Sequence, residues 1–283
     1  MAPTEALSPG LPLPGALTPA AMAGCLALSE AAGWNQVAAD WDVFFRHGTV
    51  FGIGDAAAPA ASGAVLPYAS GGFGWISMVL VAPSMRGRGL GTRVLRRCMA
   101  ALAEAGLCPV LDATPAGERI YRPLGFQTQF GLTRWRGTGG GDPVGLPPLR
   151  PDALASCAAL DAQAFGADRA ALLRTLLARA PAQAFRLPGR PGFVLARPGR
   201  QALQVGPLVA TGEAEAAHLL EAALGAARGP VLLDLADRWT GLADHLRARG
   251  FTPERPYNRM ALHRAAPFGD PARLMAVAGP ELG

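Results

Sequence analysis

Lysine is absent from this sequence of 283 residues: all 26 basic residues are arginine. Chemistry that depends on a lysine amine is thereby excluded, which removes P-loop kinases and ATPases, Schiff-base enzymes and pyridoxal enzymes. Cysteine is scarce. Cys25, Cys98, Cys108 and Cys157 fall at no metal-ligand spacing, with no CxxC and no paired histidines nearby, so no metal is expected. Cys98 and Cys157 lie in alanine-rich helical contexts, where a free thiol behaves as a small buried hydrophobe. Reduced thiols fit a cytoplasmic location. Any run of about 20 apolar residues is also missing. Met1 to Gly15 lacks the basic stretch and apolar core of a signal peptide. The expectation is a soluble protein that engages no membrane.

Half of the residues are hydrophobic and 17% are charged, which is ample for a packed core. At roughly 150 residues per domain, the length predicts about two domains. The formal charge of +5 is spread thinly along the chain. Arginine also replaces lysine wholesale through genomic base composition, so the charge reads as solubility and no nucleic-acid partner is expected. Gly137 to Pro148 reads GTGGGDPVGLPP, eight of its twelve residues being Gly or Pro, and is read as a linker. It separates a first domain, 1–136, from a second, 149–265. Residues 266–283 are small and punctuated by Pro and Gly, and are expected to form a loosely ordered tail.

In the first domain, Thr18 before Pro19 predicts a helix N-cap and a helix towards Ala32, and Gln36 to Arg46 a second helix. Thr49 to Ile53, Ala64 to Tyr68 and Gly74 to Val81 read as strands. The last of these is almost continuously apolar, as a strand buried on both faces requires. Leu90 to Ala105 is a helix with Val94, Leu95, Cys98, Met99 and Leu102 on one face. A short strand follows at Val110 to Asp112. Thr114-Pro115 starts a helix through Tyr121, and Phe126 to Trp135 closes an α/β fold with a mixed sheet. The second domain repeats this plan. Pro109-Val110-Leu111-Asp112 matches Pro230-Val231-Leu232-Leu233-Asp234, and Gly125-Phe126 with Arg134 matches Gly250-Phe251 with Arg259. Two anchors in the same order predict a duplicated fold.

Chemistry is concentrated at Arg86-Gly87-Arg88-Gly89-Leu90-Gly91-Thr92, between the buried strand and the long helix. Glycines at such a turn let the backbone approach an anion closely, and the helix N-terminus adds about half a positive charge, so the turn suits a pyrophosphate. The spacing is neither G-x-G-x-x-G nor a Walker loop. Val81-Ala82-Pro83 followed by Arg86-x-x-Gly89-x-Gly91 resembles the R-x-x-G-x-[GA] acetyl-coenzyme A motif of the GNAT superfamily of N-acetyltransferases. Tyr121-Arg122-Pro123-Leu124-Gly125-Phe126 resembles that superfamily's Y-x-x-x-G-F signature. The resemblance spans roughly residues 12 to 136 and implies a GNAT fold, duplicated in tandem.

It further implies that acetyl-coenzyme A is the cosubstrate. The turn, with Arg86 and Gly87 leading into the N–H groups of Arg88, Gly89, Leu90, Gly91 and Thr92, would hold its pyrophosphate. The main chain of Met78, Val79, Leu80 and Val81 would pair with its pantetheine arm. Thr114 stands where the family often has an asparagine on that arm, though its hydroxyl is equally placed to cap its helix. Arg119 and Arg122 either reach phosphate or are solvated helix charges. Tyr121 is expected to give a proton to the departing thiolate. No general base is selected among Glu30, Asp40, Asp42 and Asp112, and a water chain serves equally well. Trp34, Asn35, Gln36 and Trp41 gather aromatic and polar groups suited to an amine acceptor, although both tryptophans also read as core anchors. The second domain lacks this equipment. Thr211-Gly212-Glu213-Ala214-Glu215 replaces the glycine turn, and Leu246 stands in place of Tyr121. The implied activity is direct acetyl transfer to a primary amine of a small molecule in a ternary complex, with one coenzyme per chain. The alternative is a non-catalytic acyl-coenzyme A sensor. A homodimer is left open.

Overall fold

The computed structural model describes residues 13–142 and 144–283. The first half runs β1 (Gly15–Leu17), α1 (Met22–Ala31), α2 (Ala38–His47), β2 (Thr49–Gly54), β3 (Pro59–Tyr68), β4 (Phe73–Val81), α3 (Leu90–Glu104), β5 (Cys108–Ala113), α4 (Pro115–Tyr121) and β6 (Phe126–Gly139). The second runs α5 (Leu154–Phe165), α6 (Ala170–Arg179), β7 (Phe185–Arg186), β8 (Gly192–Arg197), β9 (Leu203–Ala210), α7 (Glu213–Ala226), β10 (Gly229–Ala236), α8 (Thr240–Ala248), β11 (Thr252–Leu262) and β12 (Leu274–Ala276). From β4 and β9 onwards the two halves follow the same order of strand, helix, strand, helix and strand. Among the described residues no helix is long and apolar enough to cross a membrane.

Among the described residues the twelve strands join one mixed sheet, ordered β1-β2-β3-β4-β5-β11-β6-β10-β12-β9-β8-β7. The closing strands are exchanged between the halves. β5 takes β11 as its neighbour, and β10 takes β6. Their pairing is centred on Leu132 opposite Tyr257, which, like Phe126 and Phe251 or Arg134 and Arg259, are 125 residues apart. The repeat seen in the sequence thus becomes a pair of ionic locks across the exchange. Arg259 donates Nε and Nη2 to Asp112 at 2.9 Å each, and Arg134 donates Nε and Nη2 to Asp234 at 2.8 and 2.9 Å. In each case the arginine of one half lies directly opposite the aspartate of the other, and both carboxylates are fully buried.

Helices cover the sheet on both faces. Val94, Leu95, Cys98 and Leu102 of α3 pack on Phe51, Ile76 and Leu111. On the other face Trp41, Phe44 and Trp75 share a core with Phe165, Leu173 and Leu176 from the second half. The Cys98 thiol, buried beneath α3, is pushed up to about 12 by desolvation, so it packs as a thiol and offers no thiolate. α2 begins where Asp40 accepts the Val37 N–H at 2.8 Å. Thr18 precedes a single 3₁₀ turn and makes no side-chain cap; α1 starts only at Met22.

Two expectations are corrected. Gly137 and Gly139, read as linker, are the end of β6 paired with β10. Glycine is required there because a Cβ at Gly137 would lie 2.4 Å from the Phe251 ring, and one at Gly139 2.5 Å from the Ala227 methyl. Residues 266–283 are not a loose tail. Leu274, Met275, Ala276, Val277, Ala278 and Leu282 are buried, Tyr68 donates its hydroxyl to the Leu282 carbonyl at 2.7 Å, and Trp75 Nε1 donates to the Pro280 carbonyl at 2.9 Å. The apolar run from Leu274 to Ala278 opens with the buried strand β12 and is too short to stand out among its prolines and glycines.

Candidate active site

The site is opened by a fault in β4. Ser62 pairs with Leu80 and Ala64 with Ser77, so Met78 and Val79 oppose Gly63 alone. Met78 carries the extra residue of this bulge at φ +53°, a left-handed conformation costly for a side chain. Ser62 holds it in place by donating its hydroxyl to the Met78 carbonyl at 3.0 Å. Gly63 has no room for a Cβ, since Val94 Cγ1 would be 2.5 Å away. Beyond the bulge the two parallel strands part. β4 and β5 pair only from Phe73 and Cys108 to Trp75 and Val110, and a cavity of about 140 Å³ occupies the wedge between them.

At the far end of β4 the chain turns through Arg86 to Gly89 into α3. Gly87 and Gly89 have φ +75° and +73°, and a Cβ at either would meet nothing within 4 Å, so glycine is required for backbone shape with open space in front of it. Gly89 is the N-cap of α3, which leaves the first N–H groups of that 15-residue helix, from Leu90 to Thr92, without partners in the helix itself. Arg86 Nε reaches back to the Val81 carbonyl at 3.4 Å. A phosphate facing these N–H groups would meet the positive end of the helix dipole.

The residues singled out in the sequence fall into three groups. Met78, Val79, Thr114, Tyr121, Trp34 and Gln36 line the cavity. Leu80, Val81 and the turn from Arg86 to Thr92 continue from it along β4 into α3. Asn35 and Trp41 are not among its lining residues. Asn35 donates to the Ala202 carbonyl and accepts from the Gln201 and Ala202 N–H groups at 2.9 to 3.0 Å, tying α1–α2 to the second half, and Trp41 is fully buried with Nε1 on Ser29 Oγ at 3.0 Å.

Thr114 serves as a cap as well, its Oγ1 accepting the Gly117 N–H at 3.2 Å. The Tyr121 ring folds back over Gly117, where a Cβ would stand 2.9 Å from it, and rests 5.9 Å from the Phe126 ring centroid. Burial, and secondarily Cys98 nearby, pushes its phenol up to about 12. Arg122 is engaged by Glu118 and Thr128, and Arg119 is exposed.

The carboxylates sort by environment. Glu30 is exposed, and Asp42 pairs with Arg46 at the surface. Burial works to raise the Asp40 carboxyl, but Arg197 and Arg179 at 2.9 and 2.7 Å hold it below the usual carboxylate range. Asp112 lines the cavity yet is locked to Arg259. The carboxylate that sequence reasoning missed is Glu281, which lines the cavity and pairs with Arg197. Arg134, Arg255 and Tyr257 line it too, so the second half and the C-terminal segment build one wall. Nothing local marks Glu281; the repeat marked Arg134 but not its place in a cavity.

The corresponding wedge of the second half is filled. β9 and β10 pair in parallel from Leu203 to Val205 and then diverge around β12, whose Leu274 and Ala276 pair with Val209 and Leu208 and whose Ala276 also pairs with Leu235. Glu213 accepts the Gly241 and Leu242 N–H groups at the start of α8, Glu215 pairs with Arg190, and Leu246 is fully buried.

Comparison with known proteins bears on both halves. Residues 27–126 match the acetyltransferase (GNAT) family profile, and residues 157–274 match a second profile described as an acetyltransferase (GNAT) domain. A search of curated proteins found no significant match. Among solved structures, a candidate acetyltransferase from Pyrococcus horikoshii superposes with a TM-score of 0.81 at 18% identity, covering 100% of this chain and 99% of its own. A GCN5-related N-acetyltransferase from Sphaerobacter thermophilus gives 0.61 at 17% identity over 93% and 100% of the two chains. A tandem GNAT protein from the clavulanic acid biosynthesis pathway gives 0.57 at 13% identity over 89% and 98%. At these identities the likeness is one of fold.

Proposed function

Because this chain belongs to the GNAT family of acetyltransferases, with one GNAT domain in each half, we propose that it transfers an acetyl group from acetyl-coenzyme A to a primary amine in the first-half cavity. The observation that carries this reading is succession along one stretch of chain: the edge of β4 that parts from β5 lines a cavity shared with Tyr121, and it leads through the glycine turn into the α3 N–H groups that have no partner within the helix. An elongated anion with an apolar arm fits that path. The turn from Arg86 to Thr92 takes the pyrophosphate, the main chain of Met78 to Val81 takes the arm, and Thr114 flanks it. When bound, acetyl-coenzyme A supplies the activated thioester.

The chain's own residues do the rest. The bulge at Met78, pinned by Ser62, interrupts the regular pairing of β4 with β3 beside the cavity. Tyr121 keeps its proton at neutral pH and gives it to the sulfur as the thiolate leaves. Direct transfer needs the amine and the thioester side by side, and a cavity walled by elements of both halves can hold them so.

Calorimetric titration of the full chain with acetyl-coenzyme A, followed by thiol release with an amine panel, tests the proposal. Binding at one site per chain is expected, because β12 fills the second wedge and Glu213 and Glu215 oppose a phosphate there. No binding would overturn the reading, and a stoichiometry near two would overturn the assignment of the site to the first half. Gly91→Val tests the turn. A Cβ at Gly91 meets only Val81 Cγ2 at an ordinary 3.4 Å, so the fold should persist while the side chain obstructs the ligand. The KM for acetyl-coenzyme A should rise about tenfold or more, equivalent to about 1.4 kcal/mol. An unchanged KM in the folded variant would place the pyrophosphate elsewhere.

A further inference from the structure

The nature of the acceptor can be argued from the charges around the cavity; the argument rests on the acetyltransferase reading above. Arg134 at its wall is engaged with Asp234, and two arginines behind the wall hold its carboxylates: Arg259 holds Asp112, and Arg197 holds Glu281 together with Asp40. Arg255 is different. It lines the cavity from β11, half-buried, and has no hydrogen-bond or ion-pair partner among the described residues. A partly desolvated guanidinium facing a cavity favours an anion, and its planar fork matches a carboxylate.

The cavity also presents unmet acceptors. Gln36 is only 6% exposed, and its Oε1 has no partner; nor has the buried Ser77 Oγ on the wall of β4. A buried amide oxygen without a donor is costly, which marks this wall as polar rather than apolar. Glu281 adds negative charge to the same wall, although Arg197 engages one of its oxygens. A purely cationic amine would leave Arg255 facing like charge. A purely anionic ligand would meet Glu281 and bring no amine to the thioester.

We propose that the acceptor is an amino-carboxylate: its carboxylate pairs with the Arg255 guanidinium, and its amine lies towards the wall that carries Gln36 and Glu281. Arg255 is then the residue that selects acceptors, and the second half contributes specificity through β11. Arg255 belongs to the strand beyond β5, whereas the turn suited to pyrophosphate follows β4, so its anion is the acceptor's and not the coenzyme's.

The test uses the full chain, acetyl-coenzyme A and matched pairs of acceptors, each proteinogenic α-amino acid beside its own carboxamide, with thiol release as the readout. The amide's amine is less basic and more often neutral, so preference for the acid would not reflect amine protonation. At least one acid should be used with a kcat/KM tenfold or more above its amide. Arg255→Gln should raise that acceptor's KM tenfold or more and erase the preference, with the KM for acetyl-coenzyme A unchanged. Arg255→Lys, which keeps the charge, should retain part of the preference. Amides used as well as acids, no acid used at all, or an Arg255→Gln effect on the coenzyme KM would overturn the proposal. Calorimetry separates the two levels: coenzyme binding without turnover of any acid overturns the acceptor assignment alone, whereas no coenzyme binding overturns the acetyltransferase reading beneath it.

Discussion

Tyr121→Phe should lower kcat by about 10²- to 10⁴-fold, the usual worth of a general acid, and leave the KM for acetyl-coenzyme A nearly unchanged. The substitution removes one hydroxyl and keeps the ring over Gly117 and against Phe126, so the walls of the cavity should persist. The pH dependence adds a second check. With the phenol pushed up to about 12 by burial, Tyr121 stays protonated throughout the range in which enzymes are ordinarily assayed. The variant's profile should therefore be the wild-type profile scaled down, with no limb moved. A limb that shifts would mean that Tyr121 titrates in the working range, and full activity would reduce it to a packing residue.

Arg259→Met should be the most damaging single change to stability. It removes one partner of a buried bidentate pair, together with the guanidinium stacked on Trp75, and leaves the Asp112 carboxylate uncompensated opposite β11. Breaking such a pair typically costs about 3–5 kcal/mol, read here as a lower urea midpoint at constant slope. Replacing both partners, Asp112→Leu with Arg259→Met, should recover much of the loss, because desolvation of the lone carboxylate is the dominant cost. Arg134→Met should behave alike through Asp234, whose Oδ2 Gln204 also contacts at 2.9 Å. Since β11 carries Arg255 and Tyr257 to the cavity, Arg259→Met should impair turnover more than coenzyme binding. A midpoint equal to wild type would show that the pair does not seat the exchanged strand.

Much of this protein was legible locally. The helix at α3 follows from a stripe of apolar residues at 3.6-residue spacing, and β4 from a continuous apolar run; both appear within one residue of expectation. The turn from Arg86 to Gly89 was readable because left-handed backbone demands glycine, and the chain shows it at Gly87 and Gly89. The bulge at Met78 was not readable. Methionine carries no mark of a positive φ, and its cause lies in Ser62 and in α3 packed against Gly63. Trp34 and Trp41 illustrate the same limit: only packing decides which of two tryptophans in similar surroundings meets the cavity and which disappears into the core.

The sequence by itself determined the strand, glycine turn and helix from β4 to α3 and the repeat between the halves, because each depends on residues within a few positions of one another. The tertiary structure decided which strand lies beside which. β6 and β11 carry the same repeat, so local periodicity cannot distinguish pairing within a half from pairing across halves. The exchange is recorded only in Arg134 opposite Asp234 and Arg259 opposite Asp112, contacts between residues 100 and 147 positions apart. The fate of the last residues was likewise tertiary. A short apolar run has no periodicity of its own, and it became a strand because the diverging edges of β9 and β10 offered unpaired backbone groups and an apolar slot that had to be filled. That placement also carries Glu281 from the end of the chain to the wall of a cavity opened by β4.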